Sequence, residues 1–127
     1  MSLPFDPQQG LIIVRTELWG PTGSALLRLA LDTGATARVV NIAMLVAVGY
    51  DPALAPTRVQ VTTGSGVEYA PRVTLSRILA LGQQRVDFPV LGHTLPPSAG
   101  VDGLLGLDFL RGQSLTVDFR TGHVTLV

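Results

Sequence analysis

Leu29-Ala30-Leu31-Asp32-Thr33-Gly34-Ala35 carries an apolar run straight into a carboxylate, a hydroxyl and a glycine. A carboxylate at the end of a buried apolar strand is expensive unless hydrogen bonds or a partner charge offset its desolvation. Gly34 lets the backbone turn sharply and lets other groups approach that carboxylate closely. Such a stretch presents a reactive acid at the mouth of a cleft. The same residues also make an ordinary Asp-Thr-Gly turn for purely local reasons. On average residue usage the tripeptide arises by chance in roughly a few per cent of chains this long. The rest of the chain has to decide between the two.

The 127 residues are enough for one domain with a real core. Nine basic and nine acidic residues cancel, and only 14% of the chain is charged, so nothing points to nucleic acid or to an acidic lipid surface. The absence of cysteine removes disulfides and thiolate metal sites. His93 and His123 stand far apart without a clustered third ligand, so neither a metal site nor a cofactor is expected. No apolar run approaches the roughly 20 residues that span a bilayer, and Met1-Ser2-Leu3-Pro4 lacks the features of a signal peptide. The segment is therefore read as making no membrane contact of its own, with its compartment left open: cytoplasmic, or a soluble domain cut from a longer protein.

Fourteen glycines and nine prolines are spread along the chain, favouring many short strands joined by turns. Residues 1–10 read as a loose N-terminal arm and 11–127 as the domain. Residues 11–19 and 24–31 form a hairpin around Gly20-Pro21-Thr22-Gly23, and that hairpin delivers Asp32. Residues 37–40 are strand-like. Asn41 is placed to cap a short helix over 42–48, which Gly49 ends. Residues 57–63 and 67–70 flank Gly64-Ser65-Gly66, a hairpin with a glycine tip; 72–81 and 85–91 pair around Gly82-Gln83. Gly103-Leu104-Leu105-Gly106 precedes a short helix over 107–111, and 115–119 with 123–127 close the chain as a hairpin. About eight strands and two short helices predict an all-β domain, mainly antiparallel and barrel-like.

No Walker-type glycine loop is present, and no serine sits in a Gly-x-Ser-x-Gly elbow. Asp32 is left as the strongest reactive group. One carboxylate cannot readily serve as acid and base in the same step, whereas two sharing a proton can. The chain has no second Asp-Thr-Gly; Asp102, Asp108 and Asp118 lie in turn, helix-start or surface contexts. A twofold dimer that brings Asp32 to Asp32 is the economical solution.

Leu31 to Thr36 followed by Val39-Val40 resembles the active-site segment of retropepsin-like aspartic proteases, and Gly103 to Leu110 resembles their second signature, two apolar residues and a glycine before a helix. The glycine-tipped hairpin lies between the two, where that family carries its flap. The closing hairpin is similar to that of the DNA-damage-inducible proteins and single-domain bacterial relatives. The resemblance implies a retropepsin-like acid protease barrel, a homodimer and a peptide or protein substrate. It makes Asp32 the catalytic acid/base, lets Thr33 bond across the dimer axis, and has Gly34 leave room for a water. Gly64, Ser65 and Gly66 become the flap tip. Ala35, Leu104, Leu105 and Gly106 support the active-site loop, and residues 124–127 are a candidate dimer strand. A non-catalytic dimeric peptide-binding or dimerisation module with a protease-like fold is the alternative, though neither binding nor dimerisation alone has need of Asp32, Thr33 and Gly34 together.

Overall fold

The computed structural model describes residues 2–35, 38–63 and 66–127. The described strands are β1 (Ser2–Pro4), β2 (Ile13–Gly20), β3 (Gly23–Leu31), β4 (Val39–Asn41) and β5 (Arg58–Thr63). They continue as β6 (Gly66–Ala80), β7 (Gln83–His93), β8 (Gly103–Leu105), β9 (Leu115–Asp118) and β10 (His123–Leu126). Two short helices, α1 (Ile42–Ala47) and α2 (Leu107–Leu110), follow β4 and β8 respectively. Among the described residues no helix is long and apolar enough to cross a membrane.

Six strands close on themselves. The order β2-β3-β8-β4-β7-β6 returns to β2 through the pairs Thr16↔Ala80 to Trp19↔Arg77, so the sheet is a closed barrel. All ladders in it are antiparallel except β3–β8 and β4–β7, as the mainly antiparallel reading requires. Alternation fills the interior: Val14, Thr16 and Leu18 of β2 are buried while Arg15 between them is exposed. Leu18, Leu29, Leu75, Leu105 and Phe109 are all within 1% of complete burial, and Phe88 meets Phe109 edge-on at 5.6 Å. Phe109 thus brings α2 onto the barrel wall.

β8 was legible as a motif but not as a strand. Its three residues sit between β3 and β4, with Leu29↔Gly103 on one side and Val40↔Gly103 on the other. A Cβ at Gly103 would collide with the Val39 carbonyl, so glycine is what lets β4 pass this closely. Helix α1 matches its expected cap: Asn41 Oδ1 accepts from the Ala43 amide at 3.3 Å, and Gly49, at φ +98°, ends the turn.

Three further differences have identifiable causes. Residues 67–70 and 72–80 belong to one strand, β6, which runs through Pro71. Proline is tolerated there because β6 changes partners: Pro71 faces Arg58 of β5, and the ladder to β7 begins only at Arg72↔Leu91. The β6–β7 turn is Leu81-Gly82 rather than Gly82-Gln83. Both residues have positive φ, as a tight hairpin turn demands, and the buried Leu81 side chain holds the less favourable of the two.

The N-terminal arm, finally, is docked rather than loose. β1 pairs with β10 (Ser2↔Thr125 to Pro4↔His123), the Phe5 amide donates to the Gly122 carbonyl at 2.8 Å, and Phe5 meets Phe119 edge-on at 5.6 Å. Proline and glutamine in the arm hide this, because β1 is a strand only through its distant partner. In the resulting sheet, β1-β10-β9, strand β10 is paired on both edges within one chain.

Candidate active site

Asp32 leaves the barrel at the end of β3. Leu31 pairs with Leu105 in the parallel register, and the next amide, that of Asp32, donates to the Leu105 carbonyl at 3.0 Å. The second signature therefore holds the first. Asp32 Oδ1 accepts from the Gly34 amide at 2.9 Å, and the Ala35 amide donates to the Asp32 carbonyl at 3.2 Å. A Cβ at Gly34 would stand 3.2 Å from Asp32 Oδ1, so the glycine keeps the carboxylate unobstructed on that side. Asp32 is half-buried, while Thr33 and Gly34 are exposed. The loop is pinned once more where the Leu107 amide, at the start of α2, donates to the Ala35 carbonyl at 2.8 Å.

A cleft of about 500 Å³ opens beside this loop. Gly34, Ala35 and Leu104 line its floor with Val39 and Leu91, and Val59 and Val61 of β5 line the opposite wall. The structure thus brings Ala35, Leu104, Leu105 and Gly106 together around the Asp32 loop. Leu104 faces the cleft, the buried Leu105 supplies the carbonyl under Asp32, and Gly106 is the extended cap residue just before α2. Gly64 and Ser65 lie outside the described residues, as do Thr36 and Ala37; Gly66 opens β6. β5 pairs with β6 alone, and residues 66–69 are exposed, so this hairpin stands off the barrel above the cleft. A larger cavity, of about 840 Å³, lies between the arm and the β2–β3 hairpin and includes none of the candidate site residues.

Sequence reasoning missed a buried ion pair behind the loop. Arg38, six residues after Asp32, is 9% exposed and pairs with Asp108 in the first turn of α2. Its guanidinium stacks on Phe88, 3.6 Å from the ring centroid. Burial lowers the Arg38 pKa; Asp108 opposes that shift, and nearby Arg72 reinforces it. Asp108 is therefore a structural counter-ion and not a second catalytic acid. The available signal was two opposite charges inside otherwise apolar segments. Asp102 is structural too: its Oδ2 accepts from the Arg28 amide at 2.8 Å and ties β3 to the turn before β8. Among the described residues no three acidic or histidine side chains cluster as metal ligands would.

The family model described as "gag-polyprotein putative aspartyl protease" matches residues 23–112, well over half of the chain and inclusive of both signatures. The chain belongs to the retropepsin-like aspartic protease family. Solved structures agree on the fold of this retropepsin-like chain. A retropepsin-like aspartic protease from Rickettsia conorii superposes with a TM-score of 0.74 at 14% identity, over 99% of this chain and 89% of that one. EIAV protease, solved with the inhibitor HBY-793, superposes with a TM-score of 0.56 at 18% identity, over 86% of this chain and 92% of that one. No sequence among the curated proteins is a match.

Proposed function

We propose that this retropepsin-like chain is an aspartic endopeptidase that works as a homodimer, each protomer contributing one Asp32. The reading rests on the active-site loop itself. Asp32 is anchored by Leu105 and Gly34, yet Thr33 and Gly34 are exposed on the single chain, which leaves the loop open for a symmetry mate. Two Asp32 carboxylates held together share one proton. The ionised one takes a proton from a water while the protonated one gives its proton to the carbonyl oxygen of the scissile bond. The water oxygen attacks the carbonyl carbon as it loses that proton, giving a neutral tetrahedral diol. The newly protonated Asp32 then gives its proton to the amide nitrogen while the other takes one back from a diol hydroxyl, so that the C–N bond breaks to a carboxylic acid and an amine. The pair again shares one proton, and no covalent intermediate with the protein forms.

Substrate binds extended between the cleft floor and the β5–β6 hairpin, its backbone adding to a strand edge and its alternate side chains entering pockets walled by Val39, Val59, Val61 and Leu104. In this role the hairpin is a flap with Gly64, Ser65 and Gly66 at its tip, and the Thr33 hydroxyl bonds across the dimer axis. A dimer sheet built on β10 requires β1 to move aside or exchange, because β10 is already paired on both edges. Cleavage of a mixed peptide pool over a pH series tests the reading. Wild type cuts and Asp32→Asn does not at any pH, with both equally folded. Cleavage by Asp32→Asn, or by a protein that sediments strictly as a monomer, refutes the shared dyad; binding without cleavage in wild type identifies a binding module instead.

A further inference from the structure

Glu68 and His93 belong to different parts of the molecule. Glu68 lies on the stretch of β6 that pairs only with β5, opposite Val61. His93 is the last residue of β7, on the barrel, beside β4 in the parallel ladder. Their side chains nevertheless meet: His93 Nε2 stands 3.0 Å from Glu68 Oε2, and His93 Nδ1 stands 2.9 Å from the Thr94 carbonyl. Glu68 accepts from any form of the ring that carries its proton on Nε2. Of the two close contacts between an acidic and a basic side chain given for the described residues, this is the one that links the standing-off hairpin to the barrel.

The contact also lies on a boundary. His93 and Ala70 line both the 500 Å³ cleft beside Gly34 and a neighbouring groove of about 560 Å³ under α1, which takes in Glu68, Arg58 and Ile42. Among the described residues no ladder beyond Arg72↔Leu91 fixes the angle of the hairpin to the barrel, so a side-chain contact placed there acts with the leverage of the whole hairpin. Both partners are partly exposed, at 36% and 52% of their side-chain surface, so the contact can open and reform.

We propose that Glu68 and His93 form a clasp that positions the β5–β6 hairpin over the substrate cleft and closes the cleft off from the adjoining groove. Both are positioning residues. With the clasp made, the hairpin holds Val59 and Val61 against the floor and bound peptide is confined to the cleft. With it broken, the cleft and groove merge and the hairpin samples a wider range of angles. The effect on catalysis rests on the endopeptidase reading above; the effect on the hairpin does not.

The absence of cysteine makes the test direct. Nitroxide labels at Val67→Cys and Val86→Cys, both exposed positions, report the hairpin-to-barrel distance by pulsed electron resonance, with excess unlabelled protein to suppress any signal between protomers. Glu68→Ala and His93→Ala each broaden that distance distribution; Glu68→Gln, which keeps an acceptor for Nε2–H, restores most of its sharpness, and the double alanine variant is no broader than either single one. In the alanine variants KM for a cleaved peptide rises about two- to five-fold while kcat is kept, the range expected for a partly exposed pair, and Glu68→Gln stays near wild type. An unchanged distribution in Glu68→Ala, or additive broadening in the double variant, overturns the clasp. Clasp-dependent distances in a wild-type protein that cuts no peptide uphold the clasp and count against the endopeptidase reading alone.

Discussion

Removing Asp108 from beneath the active-site loop exposes how much that loop depends on a buried charge. In Asp108→Ala the Arg38 guanidinium stays over Phe88, 9% exposed, without its counter-ion, and its Nε already has no hydrogen-bond partner. Breaking a buried pair from one side costs about 3–5 kcal/mol. The Asp108 side chain is 26% exposed, so water relieves part of the penalty and a loss of about 3 kcal/mol is the better expectation. Against a typical total of about 5–15 kcal/mol, that is a large fraction. Arg38→Ala orphans Asp108 and adds a cavity beside Phe88, so it loses a similar amount.

Replacing both charges by apolar groups, Arg38→Met with Asp108→Leu, removes the desolvation cost along with the attraction. This double variant recovers most of the loss. Urea unfolding of five proteins, the wild type, the two alanine variants, the double alanine variant that closes the cycle and the apolar double, with slopes compared to confirm that the same surface is exposed, gives the coupling directly. A loss below about 1 kcal/mol in Asp108→Ala, or additive losses in the double alanine variant, refutes the claim that the pair is buried and coupled. The functional consequence follows from position: Arg38–Asp108 sits alongside the Leu107-to-Ala35 and Asp32-to-Leu105 bonds, so Asp108→Ala loosens the loop that carries Asp32.

Three other outcomes follow from the same geometry. Gly103→Ala drives a methyl into the Val39 carbonyl where β4 and β8 meet; thermal unfolding should show a loss of about 2 kcal/mol or more, typical of overpacking, and a neutral result contradicts the barrel register. Thr33→Ala weakens dimerisation in sedimentation by about 1 kcal/mol while Thr33→Ser is mild, and equal association of wild type and Thr33→Ala removes the bridging role. The Asp118 carboxylate accepts the Thr121 and Arg120 amides, which hold its pKa below the ordinary value of about 3.9. A depressed folded-state pKa stabilises above the unfolded value and loses that contribution as pH falls through the folded one, so Asp118→Asn should flatten the acid limb of the stability profile below about pH 4, and an unchanged limb excludes the contribution.

Much of the protein was legible because its signals are local. Asp32-Thr33-Gly34 announces itself through three neighbouring residues, and its glycine is needed for a contact only two residues away, with the Asp32 carboxylate. Asn41 capping Ala43, Gly49 ending α1, and the period-2 burial of β2 arise from backbone chemistry within a few positions, so sequence alone was enough to place them. The order of the two signatures about the glycine-tipped hairpin sufficed for the family, and with it the barrel.

Tertiary structure decided the rest. β1 and β8 are three residues each, too short to carry a periodic pattern, and exist as strands only because β10, β3 and β4 present edges to them. β6 reads as two strands because Pro71 interrupts the pattern, and it is one because the proline falls where the partner changes. Asp108 reads as a turn, helix-start or surface acid and His93 as a histidine without a clustered partner, while nothing in the sequence singles out Arg38 or Glu68. Which charges meet, and which of them lose their water, depends on segments far apart in the chain coming together, and the residues flanking either partner hold no record of that encounter.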